Sequence, residues 1–407
     1  MNNIFRTIFL LKSLSTGLML PIMSLMIISR GAGTELLPLV IGVYSLTVIL
    51  FEFPSGVFSD IFGRKKTFLI SCSLMLLSLF LLIVETSNVS ILFLAFAIQG
   101  TGRAFSSGSL DALVLEKSLL SGGDASTAKT SGELGFIESL GIAVGSIFAG
   151  FLGNIGTTCS ANLFVMALLY LLITLLTVVG VKDTHIDSSG EPFLLFSEIK
   201  KFRRQMAGSL RFSVQSAPVR ILLIQVFFTG TVLFSLETYW QPGLLRLMAD
   251  RKLWIFGIVS FLGFCFTALA SYLTPKLLLH ISPNRKRPWW NFLFVIRLLF
   301  AAGTFLLGSI LHPSFFVLAY LLIYFFHGGG STVENTLLSQ NTPREMLAGI
   351  MSLFSLIFQL GVLAASAFTG AFLSNADLPI IWLLLSGLAI FCYIALFLKA
   401  RFIHSLD

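Results

Sequence analysis

The sequence predicts an all-α polytopic membrane protein whose twelve transmembrane helices form two pseudo-symmetric six-helix bundles. Three observations carry that expectation. Of 407 residues, 56% are hydrophobic and 11% charged, with a mean hydropathy of +0.92, which leaves too little polar surface for a soluble chain of this size. Apolar runs of about 20 residues, the length that crosses a hydrocarbon core, recur twelve times. The second six runs echo the first across a polar stretch, the internal symmetry expected of two fused bundles.

The runs fall near 7–29, 37–59, 67–85, 90–115, 131–153 and 160–181, then 217–241, 252–275, 291–311, 314–339, 347–373 and 379–399. They define a first bundle over 1–181, a polar connection over 182–216 and a second bundle over 217–407. The first run has no small-residue cleavage site after a short apolar core, so it reads as a retained helix. The connection opens turn-rich, KDTHIDSSGEP, and continues as SEIKKFRRQMAGSLRF, helically spaced with a basic face. Two accounts fit it: a helix held on the inner leaflet by anionic lipid, or a solvated linker helix.

The net charge of +8 raises nucleic acid as a partner, but the basic residues lie in short connections between runs. With both termini cytoplasmic, the inner side collects Arg64, Lys65 and Lys66, the Lys200 to Arg204 cluster and Arg285 to Arg287. The outer side keeps Arg30, Arg246, Arg251 and Lys252. That asymmetry orients the chain by the positive-inside rule, with lipid and not nucleic acid as its surroundings. Cys72, Cys159, Cys265 and Cys392 lie far apart, and His280, His312, His327 and His404 lack ligand spacing, so neither a disulfide framework nor a metal site is expected. No P-loop, nucleophile elbow or H-E-x-x-H occurs, which argues against an enzyme, a cofactor or ATP-driven transport within this chain.

The repeat is legible residue by residue. Gly141, Ser146, Phe148 and Gly150 in the fifth run match Gly361, Ser366, Phe368 and Gly370 in the eleventh at one constant offset. IGVYSL from Ile41 echoes FGIVSF from Phe256, and Asp111 before ALVLEKS echoes Glu334 before NTLLSQ.

The connection between runs two and three reads EFPSGVFSDIFGRKK, with Gly56, Asp60, Gly63, Arg64 and Lys65 spaced G-x-x-x-D-x-x-G-R-K. Gly56 would allow a neighbouring backbone close, and Asp60 sits one turn before Arg64, near enough to pair with it or with a helix end. This stretch resembles the helix 2 to 3 loop signature of the major facilitator superfamily, and Glu52 with Pro54 resembles the E-x-P variant of a bacterial branch rich in drug exporters, including tetracycline efflux proteins. The resemblance implies that Asp60 and Arg64 lock the cytoplasmic side as gate residues; by position at the end of the fourth run, Asp111 or Glu116 would complete that gate with Arg64. Gly132, Gly141, Gly145 and Gly150 partly resemble the family's antiporter motif in helix 5, with Ser146 in place of its proline. Gln99 to Gly102 resembles the helix 4 motif, whose arginine position is Phe96 here, while Arg103 lies seven residues later.

Ionisable residues inside the runs are the chemical candidates, because a mid-bilayer charge costs about 2.5–3.5 kcal/mol on insertion scales and persists only with a partner, water or a task. Glu52 forms a polar stripe with Gly56 and Ser59; it is either a proton carrier or a hydrogen-bonded brace before Pro54. Arg103, Ser107 and Asp111 share a face at four-residue steps. Glu138, on the Gly141 and Gly145 side and so aimed toward protein, is a second proton candidate. The run LETYWQP ends the seventh span and brings Glu237, Tyr239, Trp240 and Gln241 together, either as a cavity for a flat or cationic amphipathic molecule or as an interfacial aromatic belt. Arg297 and Glu334, at similar depth, are the expected structural ion pair.

The resemblance implies a monomeric secondary transporter of the bacterial cytoplasmic membrane that exports a small amphipathic substrate in exchange for protons. A proton-coupled uptake symporter, and a non-transporting receptor or lipid flippase, are the alternatives.

Overall fold

Proline 21 has no N–H to donate, and the first span breaks there. The computed structural model describes residues 3–84, 88–107, 109, 133–153, 155, 159–181, 207–248, 252–281, 287–343, 346–372 and 376–400. The helices are α1 (Asn3–Met19), α2 (Met23–Ile27), α3 (Gly33–Phe62), α4 (Arg64–Val84), α5 (Val89–Ser107), α6 (Glu133–Leu152) and α7 (Ser160–Gly180). After α8 (207–215) come α9 (Ala217–Leu247), α10 (Leu253–Ile281), α11 (Arg287–Leu307), α12 (Pro313–Gln340), α13 (Leu347–Phe372) and α14 (Leu378–Ala400). No strand occurs among the described residues. Closing backbone hydrogen bonds within each segment is what a hydrocarbon solvent demands.

Among the described residues, eleven helical stretches are long and apolar enough to cross a membrane. The remaining span is α1, 17 residues long rather than the continuous run expected to residue 29. At the break, Ile22 N–H bonds Met19 O (3.2 Å), which takes the donor that Leu18 O would receive in an unbroken helix. Asn162 of α7 supplies the replacement: its buried Nδ2 donates to Leu18 O (3.2 Å) and to Ala149 O of α6 (3.0 Å). One amide thus ties α1, α6 and α7. Asn162→Leu should lower stability by about 1–3 kcal/mol by leaving the Leu18 carbonyl without its donor, while Ala149 O keeps the Gly153 N–H (2.9 Å). A thermal unfolding midpoint equal to that of the parent would remove this role from Asn162.

The connection from α2 to α3 is a wide helical turn, Ile28–Ala32, in which Arg30 (φ −95°, ψ 19°) and Gly31 (φ 87°, ψ 0°) leave helical geometry. Arg30 is buried, and its guanidinium donates to Leu82 O in the last turn of α4, where a carbonyl has no intrahelical donor.

The chain divides into two compact units, Met1–Lys200 with Lys252–Phe261, and Lys201–Arg251 with Leu262–Asp407. In the first unit α5 packs on both α3 and α4, α4 on α7, and α7 on α1. In the second, α9 packs on α13 and α14, and α11 on α12 and α14. A core of Trp289, Trp290, Leu293, Phe294 and Leu337 fills the base of that second group.

The matching glycines have matching tasks. A Cβ on Gly141 or Gly145 of α6 would strike Ser13 or the Leu14 carbonyl of α1, and one on Gly361 of α13 would strike the Phe227 carbonyl of α9. Each unit therefore joins two of its helices backbone to backbone through small residues. On the opposite surfaces, apolar side chains stay outside: Phe164, Leu171, Leu175 and Val179 of α7 are exposed, the face a lipid-solvated helix requires.

Candidate functional site

The charged loop motif folds as a sharp turn. Helix α3 continues through Pro54 to Phe62, and Gly63 turns the chain into α4 at φ 97°, ψ 149°, a region that favours glycine. Lys65 Nζ then donates to Val178 O (2.9 Å) in the last turn of α7, so this cation caps a neighbouring helix end. Arg64 is half-buried at the start of α4. Gly56 departs from expectation: among the described residues, a Cβ there would meet nothing within 4 Å, so no backbone approaches it. The Asp60 side chain, Asp111 and Gly132 lie outside the described residues, as do 182–206, Arg285 and Lys286.

Inside the first unit, Glu52 accepts from Ser107 Oγ of α5 (3.0 Å), while Ser55 Oγ, one turn on, donates to Ala104 O (2.9 Å). Two hydroxyl contacts therefore hold α3 to α5 beside the carboxylate. Arg103 is exposed, close enough for its charge to act on Glu52 and on Tyr44. Glu138 is exposed as well, and not aimed into the unit with Gly141 and Gly145, which are buried. Glu138 shares a helix face with those glycines, but Gly135, Phe136, Ser139 and Leu140 are exposed too, so this stretch of α6 is open on several sides, about a turn short of the close contact with α1 that begins at Gly141.

The second unit gathers a different set. Helix α9 does not end at LETYWQP but runs to Leu247 with Pro242 inside it, so Glu237 to Gln241 lie within the helix. Tyr239, Trp240 and Gln241 are all buried within the protein rather than displayed as a surface belt. Trp240 packs on Tyr320 of α12 (centroids 4.6 Å), Tyr320 on Tyr324 (4.6 Å), and Phe264 of α10 meets Tyr324 edge-on (5.9 Å). Gly263 makes room for them, since a Cβ there would press on Tyr320 (3.1 Å) and Tyr324 (3.4 Å). The Tyr324 hydroxyl donates to Glu237 Oε1. Tyr320, Tyr324 and Phe264 were not among the sequence candidates; the available signal was two tyrosines four apart, which share a helix face.

One turn and more beyond, the Arg297 guanidinium of α11 donates through Nε to Glu334 Oε1 (2.8 Å) and through its terminal nitrogen to Oε2 (2.5 Å). Ser331 Oγ (3.1 Å) and the His327 carbonyl (3.5 Å) accept further bonds, and Gly330 leaves the space the guanidinium occupies. Both side chains are essentially sealed, at 0% and 2% exposure. With both oxygens of Glu334 bound to a cation, this pair offers no carboxylate to a solute.

Chemically, then, the two units present two kinds of buried acid. Glu334 is neutralised by a guanidinium, whereas Glu52 and Glu237 are each bonded by a hydroxyl, which can donate to a carboxylate or accept from a carboxylic acid. Among the described residues no group of three or more His, Cys, Asp or Glu is placed to hold a metal ion.

Solved structures share the fold at low identity. The nucleoside transporter NupG superposes with a TM-score of 0.75 at 13% identity, covering 99% of this chain and 100% of that one. A peptide transporter POT in complex with sulfate gives 0.73 at 16%, covering 99% and 94%. Among curated proteins, an uncharacterized transporter of Buchnera aphidicola subsp. Schizaphis graminum is 34% identical over 99 residues, 24% of this chain and 25% of its own length. The uncharacterized MFS-type transporter YxaM of Bacillus subtilis (strain 168) is 26% identical over 268 residues, 66% of this chain. The chain thus spans a quarter of the first relative and 64% of the second. Residues 7–332 match the profile of the Major Facilitator Superfamily, well over half of the chain. The chain belongs to the major facilitator superfamily.

Proposed function

We propose that this protein is a secondary active transporter, not an enzyme, that exports a small amphipathic compound in exchange for protons by alternating access. The observation that carries the proposal is the pair of hydroxyl-held carboxylates, Glu52 on Ser107 and Glu237 on Tyr324. A proton arriving at either carboxylate can be donated back to the hydroxyl oxygen, and at Glu52 the Ser107 hydroxyl then still has the Ala104 carbonyl (3.0 Å) to donate to, so loading there costs little rearrangement. The arginine-bound Glu334 has no such freedom, and its role with Arg297 is to hold α11 against α12. Asp60, Arg64 and Asp111 form the cytoplasmic gate in this proposal, with Gly63 setting the turn and Lys65 anchoring it to α7. The protein works as a monomer in the cell membrane with both termini cytoplasmic, the orientation its basic connections favour.

Everted vesicles energised to an acid interior, so that protons leave the lumen as solute enters it, provide the test, with a panel of amphipathic dyes and antibiotics as solutes. Glu52→Gln and Glu237→Gln should each reduce gradient-driven accumulation by at least about tenfold, a change of about 1.4 kcal/mol. Full accumulation in both variants would end the proton-carrier assignment. Accumulation only in right-side-out vesicles would make the protein an uptake symporter, saturable binding without flux a receptor, and selectivity for acyl-chain substrates a flippase.

A further inference from the structure

We infer that Glu237 and the rings of Trp240, Tyr320 and Tyr324 form a recognition site for an organic cation, with the carboxylate as the counter-charge for the ligand's positive group. The inference names the substrate class of the transport proposed above and rests on that proposal for its biological meaning, although binding itself needs no flux.

Three carboxylates of the described spans differ in what balances them. Glu334 is balanced by Arg297 through two bonds, and Glu52 lies within the field of Arg103. Glu237 accepts from the neutral Tyr324 hydroxyl and has no basic partner among the described residues. A half-buried carboxylate without a counter-ion is costly, so the site is completed either by a proton or by a cation brought from outside.

The surroundings favour an organic cation over a bare inorganic one. Trp240, Tyr320 and Tyr324 pack in a series at 4.6 Å per step, with Phe264 edge-on at its end, and ring faces of this kind attract ammonium and delocalised cations. The Tyr320 hydroxyl, 0% exposed, has no hydrogen-bond partner, although buried hydroxyls normally find one. Its ring packs on that of Tyr324, whose own hydroxyl bonds Glu237, so the Tyr320 oxygen is a further acceptor for a ligand N–H in this cluster. An anion would meet Glu237 with like charge and no compensating donor other than a tyrosine.

Among the described residues, no ion pair joins Glu237 to a neighbouring helix. Tyr320 and Tyr324 are the titratable groups of α12 at this level, and Phe264 is the contribution of α10. From α14, Tyr393 is engaged with Thr229 (3.1 Å), about two turns along α9 from Glu237. Arg297 of α11 is committed to Glu334.

The test is equilibrium binding to the purified full chain in lipid nanodiscs. Ethidium, a flat permanent cation bearing N–H groups, is followed by fluorescence anisotropy, and anilinonaphthalene sulfonate serves as the anionic comparison. Saturable ethidium binding should weaken about 10- to 100-fold in Glu237→Gln, the range expected for losing one charge-assisted contact, and recover in large part in Glu237→Asp. Tyr320→Phe removes only the unpaired hydroxyl and should weaken ethidium severalfold while the thermal unfolding midpoint stays put; this variant decides the matter if Glu237→Gln does not fold. Equal ethidium affinity in Glu237→Gln and the parent, no saturable ethidium binding by the folded parent, or saturable binding of the sulfonate alone would each overturn the inference. Ethidium binding without gradient-driven flux would leave the cation site standing and remove the transport proposal, whereas gradient-driven flux of neutral or anionic solutes without ethidium binding would do the reverse.

Discussion

Glu334→Ala should cost the second unit about 3–5 kcal/mol, enough to lower both the thermal unfolding midpoint and the yield of monodisperse protein. The effect comes less from the lost attraction than from what remains. Arg297 would keep a full charge at a site with no solvent exposure, held there by Ser331, the His327 carbonyl and the close backbone of Gly330. Its side chain cannot swing to an interface without vacating the space between α11 and α12. Arg297→Leu combined with Glu334→Leu removes both charges and should recover most of the loss, so the double variant is more stable than Glu334→Ala. A thermal melt in which the single variant matches the parent would show that the pair does not hold these helices.

Gly361→Ala and Gly145→Ala should destabilise their respective units by about 1–3 kcal/mol or more, with Gly56→Ala as a near-neutral contrast. At Gly361 the added methyl would strike the Phe227 carbonyl, and at Gly145 the Leu14 carbonyl, closer than real carbon contacts allow. Backbone oxygens of a helix cannot rotate away as a side chain can. The two helices must separate, and dispersion is lost along the whole contact. At Gly56 the methyl enters open space among the described residues. Comparable unfolding midpoints for all three variants would show that the glycine crossings are not what joins α6 to α1 and α13 to α9.

Much of this architecture is written in local pattern. Hydropathy over a 20-residue window depends only on neighbours in sequence, which is why Arg64–Val84, Ser160–Gly180 and Leu378–Ala400 fall close to their expected bounds. Prolines disturbed the bounds elsewhere, in opposite senses. Pro21 ended α1 early because Asn162 could take over a freed carbonyl, while Pro242 was absorbed inside α9, whose flanking residues are buried. A breaker's effect depends on what stands ready to satisfy the backbone it disturbs.

Sites were less legible, and for a related reason. Glu237 and Trp240 could be singled out from one helix, but Tyr320, Tyr324 and Phe264 come from two others, and nothing in the spacing of α9 says which faces meet it. Glu138 shows the same limit from the other side: it shares a face with two buried glycines, yet it is exposed with Gly135, Phe136, Ser139 and Leu140, because the close packing on α1 begins only at Gly141. From the sequence alone came membrane residence, the number and approximate limits of the spans, the paired repeat and the loop signature, since each follows from composition or from residues close along the chain. The Arg297–Glu334 pair was also foreseeable from depth along two spans; only the tertiary structure decided that Glu52 and Glu237 are met by hydroxyls, because that depends on the rotation and crossing of helices far apart in sequence.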